Sequence, residues 1–367
     1  MAGKIVAAHL PHSPISSHPL PLGSRRIISH IALYGSELMI SRRDLLITTA
    51  SATAALMCGA AAAAERPGLT VGAVQFGTLH WLLDVIKERK LDAEGGFELS
   101  PRMVATPGAA NIALLGHEAD IVVTDWFWVM RQRSLGGDYL FMPYSAALGG
   151  VVVPEDSPIK SVTDLKGKKI GVAGGPIDKS WLLLRAYGMK NGAGDLAAEA
   201  TPVFAAAPLL NEQAAAGRID ALLNFWPFAV KLESSGYRQM IAVSQMMTSL
   251  GIENPLPLVG FVFPASLASD NRGLMQSFSR AVQKGQSLLA TSDQEWERIR
   301  PLMKASSDEE YRMLRTRYRE GLLHSWNERD REAAQKLFAI VRETGGEEVT
   351  GAGVTFDPRA FWDGFVL

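Results

Sequence analysis

The sequence predicts an α/β protein of two lobes, each a mainly parallel sheet with flanking helices, with a cleft between them. Three observations carry this expectation. From Leu69 strand-like and helix-like segments alternate, the order that builds a parallel sheet covered by helices. The alternation is interrupted and starts again near Gly149, and the chain ends in a strongly helical stretch from about Leu267. With 367 residues there is length enough for two such units.

The N-terminal pattern predicts an extension followed by an export leader. Residues 1–38 are rich in Pro, Ser and His and lack a continuous apolar core, so they read as a non-translated or disordered extension, with Met39 the expected start. SRRDLLITTASATAALMCGAAAAAERP, from Ser41, has an arginine pair, an apolar stretch and small residues ending at Ala62-Ala63-Ala64. This layout predicts a twin-arginine-like export signal over 39–64, cleaved after Ala64 so that no membrane insertion remains. The sole cysteine, Cys58, follows Met57 rather than the small residue a lipidation site wants, and cleavage would remove it. An internal disulfide and a cysteine-built metal site are thereby excluded. A net charge of -1 gives no basic excess to attract nucleic acid or an anionic membrane.

The first lobe follows in order. LTVGAVQFG, from Leu69, is strand-like; WLLDVIKERKL, from Trp81, places Leu82, Val85 and Ile86 on one helical stripe. FELSPRMV and PGAANIALLGHEA read as a second strand and helix, and DIVVTDWFW, from Asp120, as a third strand. GGVVVP opens the second set. After the turn-rich SVTDLKGKK, KIGVAGG is a strand and SWLLLRAYG a helix stopped at Gly188. TPVFA, APLLNEQAAAG and RIDALLNFWP continue as strand, helix and strand, with Pro227 marking the next helix start. IAVSQMM and PLPLVGFVFP read as strands leading back out. The crossings between lobes are expected near Pro143–Val152 and Val243–Phe261, giving lobe 1 as 65–147 with 255–367 and lobe 2 as 148–254. In the tail, SDQE at 292 and SDEE at 307 are capping boxes, Tyr311, Leu314, Tyr318 and Leu322 share an apolar face, and Arg312, Arg315, Arg317 and Arg319 read as a solvated one.

The glycine-rich GVAGGPIDKS, from Gly171, is not a nucleotide loop. Asp178 stands where a phosphate loop needs glycine before Lys179, Pro176 removes an N–H, and the glycine spacing fails the dinucleotide pattern. The residual geometry, a strand, a turn and a helix start, suits a small polar ligand.

SPIKSVTDLKGKKIGV, from Ser157, resembles the start of the second lobe in periplasmic solute-binding proteins of the nitrate, aliphatic sulfonate and taurine type, which are also similar to pyrimidine-precursor-binding proteins. LLGHEADIVVTD and its echo AAAGRIDALLNFWP add to the resemblance, which runs from about Leu69 to Arg342. It implies a type II periplasmic-binding fold of the Venus-flytrap kind: an exported, monomeric component of an ABC importer that hands a small organic solute, sulfonate-like, aromatic or pyrimidine-like, to the permease membrane subunits. It also implies four binding loops: Gln75-Phe76-Gly77-Thr78, Thr124-Asp125-Trp126, Gly174-Gly175-Pro176 with Ser180, and Asn224-Phe225-Trp226. These fall at the carboxyl ends of strands, where open α/β sheets place ligands.

The loops are richer in aromatics than the resemblance alone would give. Phe76, Trp126, Phe225 and Trp226, with Trp81 and Trp181 nearby and an acidic Asp125, favour a larger, partly aromatic or cationic organic solute over a small inorganic anion. Several residues keep two readings. Trp126 and Trp128 share a strand face and serve either core or cleft; Asp125 and Asn224 serve as helix caps or ligand contacts. Helix N–H groups near Ser180 face the ligand, Trp181 is core, Lys179 faces solvent, and His80 is either a lone histidine or a ligand contact. No catalytic or metal motif occurs, so no enzyme activity and no cofactor are expected. A periplasmic accessory or sensor protein binding a partner protein is the alternative.

Overall fold

A computed structural model describes residues 66–75, 77–253 and 256–367. The expectations for the extension, the export signal, Cys58 and Phe76 lie outside the described residues.

Strands β1 (Gly68–Val74), β2 (Glu98–Val104), β3 (Ile121–Asp125), β4 (Tyr139–Ser145) and β10 (Val259–Pro264) form one sheet in the order β2-β1-β3-β10-β4. A second sheet has the order β7-β6-β8-β5-β9, from β5 (Gly150–Pro154), β6 (Lys169–Ala173), β7 (Thr201–Ala205), β8 (Ala221–Asn224) and β9 (Tyr237–Ala242). Both sheets are mainly parallel in strand direction, as expected, with one strand in each running against the other four. β1 runs parallel to β2 and β3, but β10 is antiparallel to β3 and β4; likewise β6 is parallel to β7 and β8, while β5 is antiparallel to β8 and β9. The reason lies in the crossings. A strand arriving from the other lobe enters its sheet from the seam side, against strands whose carboxyl ends point there.

Helices flank the sheets: α1 (Leu79–Glu88), α2 (Pro107–Leu115), α3 (Trp126–Ser134), α4 (Lys179–Lys190), α5 (Ala207–Ala215), α6 (Trp226–Glu233) and α7 (Val243–Ser249). Three segments depart from the sequence reading. β3 stops at Asp125, because its carboxylate accepts the Trp128 N–H at 2.9 Å and caps α3, so Trp126 to Trp128 form the first helical turn instead of an alternating strand. IAVSQMM divides at Ala242 into the end of β9 and α7. α4 runs through Gly188, which is no stop; a Cβ there would lie 3.1 Å from the Gly194 carbonyl oxygen, a tight approach that favours glycine.

One apolar core runs through both lobes, from Leu69, Val71 and Trp126 to Val151, Ile170 and Trp181. A smaller cluster, Val152, Leu210 and Leu222 among it, fills the far face of the second sheet. The tail adds α8 (Arg272–Thr291), α9 (Asp293–Met303), α10 (Asp308–Glu320) and α11 (Glu328–Gly345). Ser292 and Ser307 cap α9 and α10 through the N–H groups of Glu295 and Glu310, each at 3.1 Å. Only half of each capping box forms. The Glu295 carboxylate goes to Arg89 and Arg298, and that of Glu310 to Ser306. Tyr311, Leu314 and Tyr318 are buried, as their spacing predicts, whereas Leu322 falls beyond the helix end. Arg315, Arg317 and Arg319 are not a solvated face: Arg315 and Arg319 meet Asp293, and Arg317 meets Glu233 of α6 at 2.9 Å. α11 packs on α4 of lobe 2, while its Phe338 stacks on Phe127 of lobe 1 with ring centres 5.8 Å apart.

Candidate functional site

The seam between the sheets is closed at two places by different side chains. At the first, Trp81 of α1 meets Trp226, the first residue of α6, edge to face at 6.1 Å. Trp296 and Tyr318 complete the group, each about 6 Å from the Trp81 ring. Pro227 within the first turn fixes the backbone that presents Trp226, whose ring is buried. The indole N–H of Trp81 has no hydrogen-bond partner, nor do the hydroxyls of Tyr144 and Tyr318, although all three residues are more than nine-tenths buried. Burial pushes the Tyr144 phenol up to about 12, with the Tyr318 and Thr78 hydroxyls close by. Burial lifts Tyr318 well above the usual phenol range, and its Tyr144 neighbour adds to this. The hydroxyls thus sense one another without closing a well-formed bond.

At the second place Lys179 of α4 reaches Asp125 of lobe 1 at 2.8 Å, with its ammonium 5.8 Å from the Phe127 ring centre. Asp178, half-buried beside this pair, caps α4 by accepting from the N–H groups of Ser180 and Trp181 at 2.9 and 3.3 Å. Burial raises the Asp178 carboxyl above the usual range, against the pull of Lys179 and of those two N–H groups. Glu233 is likewise raised by burial despite Arg317.

The structure brings Thr78 and Trp226 of the first and fourth expected loops together through Trp81, and Asp125 of the second loop to the third through Lys179. Lys179 therefore spans the seam instead of facing solvent. Gln75 is exposed and ties its N–H to Val104, and Gly77 is half-buried, its carbonyl held by His80. His80 is fixed between this carbonyl and that of Leu302 at 3.2 Å, a structural role. Thr124 is buried on β3 opposite Gly260. Trp126 is core: fully buried, stacked on Phe127 at 3.9 Å, its indole N–H on the Pro257 carbonyl. Gly174 and Gly175 turn the chain at φ +90° and +103°, Pro176 is exposed, and the helix N–H groups expected to face a ligand at Ser180 are taken by Asp178. Asn224 is buried and fully engaged inside lobe 2, donating to Ala207 and Asn211 and accepting from the Phe225 N–H. Phe225 stands partly exposed at the rim. Trp181 is core, as expected.

Sequence reading overlooked Tyr144, because YLFMPYS was not read as a strand, and took Tyr318 for one more apolar position. The salt bridge from Arg317 to Glu233 was hidden because its partners lie 84 residues apart. Among the described residues there is no cluster of metal-ligating side chains, and no helix is long and apolar enough to cross a membrane.

Residues 142–295 match the family model described as NMT1/THI5 like. No curated protein matches the chain. Among solved structures, the alkanesulfonate-binding protein SsuA from Xanthomonas axonopodis pv. citri superposes with a TM-score of 0.63 at 18% identity, covering 82% of this chain and 99% of that one. The periplasmic aliphatic sulphonate binding protein SsuA from Escherichia coli gives 0.64 at 16% identity over 82% and 93%. A ligand-binding component of an ABC-type import system from Staphylococcus aureus gives 0.60 at 11% identity over 80% and 97%. At such identities the likeness is one of fold. The chain has the α/β architecture of periplasmic binding proteins, and residues 142–295 are its NMT1/THI5-like part.

Proposed function

We propose, for a chain with this binding-protein fold, that it is the exported solute-binding component of an ABC importer, capturing a small organic solute at the interlobe seam and delivering it to a permease. The observation that carries this reading is the group of unpartnered buried polar atoms, Trp81 Nε1 and the Tyr144 and Tyr318 hydroxyls, gathered beside the first expected loop and covered by Trp226. Buried donors without acceptors are costly, and a ligand acceptor relieves that cost. The fold and the relatives described as importer components support it. Export by the twin-arginine route and a monomeric state belong to the same proposal.

The test is a thermal-shift panel on the purified protein with alkane- and arylsulfonates, taurine, nitrate, pyrimidines, aromatic carboxylates and small amines. A ligand at a hundred times its Kd stabilises the folded state by about 2.7 kcal/mol, a shift of about 2–8 °C. Trp226→Ala should abolish that shift. A panel without any shift would sink the reading. The continuous core across the seam favours one second reading, a periplasmic accessory or sensor protein; capture of a single protein partner in place of a solute would establish it.

A further inference from the structure

The seam offers donors, and two cations that span it are already matched. Lys179 is paired with Asp125 and Arg317 with Glu233. Asp178 adds a further carboxyl close to Lys179. The three unpartnered groups are of another kind. An indole N–H can only donate, and each phenol can donate as well as accept. Trp81, Tyr144 and Tyr318 belong to α1, β4 and α10, while the ring covering them from lobe 2 is that of Trp226. Separation of the lobes at this point would therefore expose the donors, and closure would press an aromatic wall onto whatever they hold.

We infer that the seam selects an uncharged, planar aromatic solute bearing an oxygen acceptor, a sulfonyl or carbonyl group, received by Trp81 Nε1–H and the Tyr144 and Tyr318 hydroxyls. The inference rests on the solute-binding reading and narrows it. An anion would carry its charge out of water, and no unpaired cation stands beside these donors among the described residues. A cation would find rings to sit against, but it would leave the Trp81 N–H unmet. A neutral acceptor answers the donors and adds no charge, and its ring continues the edge-to-face packing already present between Trp81 and Trp226.

Matched pairs test this with the purified protein by isothermal titration calorimetry: methyl phenyl sulfone against benzenesulfonate, and acetophenone against benzoate. Within each pair the ring and the acceptor geometry are similar and the charge differs. The neutral member is expected to bind at least about tenfold more tightly. The Tyr144→Phe/Tyr318→Phe double variant is expected to lose about tenfold of that affinity. Its unliganded Tm should be unchanged or higher, since the change deletes hydroxyls that have no partner, and this separates a binding role from a structural one. Tighter binding of the anion in both pairs, or full affinity in the double variant, would overturn the inference and leave the solute-binding reading standing. Absence of binding by every probe and by every compound of the broader panel would overturn both. A panel hit outside these pairs is judged in the same way, against its own uncharged or charged analogue.

Discussion

At one end of the seam Trp81 and Trp226 meet edge to face across the lobes, while at the other a single charge pair, Lys179 with Asp125, bridges them over 2.8 Å. The first contact is broad, apolar and indifferent to salt. The second is narrow and directional, and its side chains keep 16% and 21% of their exposure, so water and ions reach it. The aromatic end therefore carries most of the closing energy, and the ionic end sets the register in which the lobes meet. An exposed or half-exposed pair adds at most about 1 kcal/mol, against about 3–5 kcal/mol for a large buried aromatic.

The largest test of this contrast is Trp81→Ala. Removing a buried ring that touches Trp226, Trp296 and Tyr318 is expected to lower unfolding stability by about 3–5 kcal/mol, read from the midpoint of a urea titration. A loss below about 1 kcal/mol would mean that the aromatic end is not what joins the lobes. Asp125→Asn is a gentler probe. Asparagine still caps α3, so the substitution removes the interlobe charge and leaves the helix start intact. Ligand affinity should fall several-fold, by about 1 kcal/mol at low salt, and the difference from wild type should vanish near 1 M salt. An effect that survives high salt would assign Asp125 to the ligand instead of the latch.

The smallest effect is a slope. Because the folded-state value of Asp178 is raised, the folded chain binds more protons than the unfolded chain across the window that begins near the ordinary carboxyl pKa of about 3.9. Its contribution is thus most favourable at low pH and declines as pH rises through the folded-state value. Asp178→Asn, which retains the cap, should flatten that decline in stability measured from about pH 4 to pH 7. A steeper decline in the variant would reverse the assigned sign.

Much of the fold was legible because it rests on local pattern. The β-branched run IVVTD, the stripe of Leu82, Val85 and Ile86, and the serine caps at 292 and 307 each announce their element within a few residues. Where the sequence misled, a short-range hydrogen bond competed with that pattern. The Asp125 cap turned an apparent strand into α3 and carried Trp126 into the core. The one reversed strand in each sheet was illegible for another reason, since strand direction follows from which lobe the chain has just left. At the site, the aromatic character of the seam was readable in Trp81 and Trp226. Tyr144, Tyr318 and the two interlobe ion pairs were not, because each depends on partners brought together from distant parts of the chain. Asn224 looked available and is not; three hydrogen bonds within its own lobe occupy it.

The tail has a mechanical consequence. Two strand crossings on the same side of a pair of plates make a hinge line and leave one rotation free. Here α10 touches lobe 2 through Arg317 and Glu233, and α11 lies on α4 while Phe338 stays on Phe127 of lobe 1. These attachments tie the tail to both lobes, so one lobe turns against the other only if one of them slips. A swing of one lobe against the other thus requires the tail to let go of a lobe first, as a bolt is drawn before a door turns.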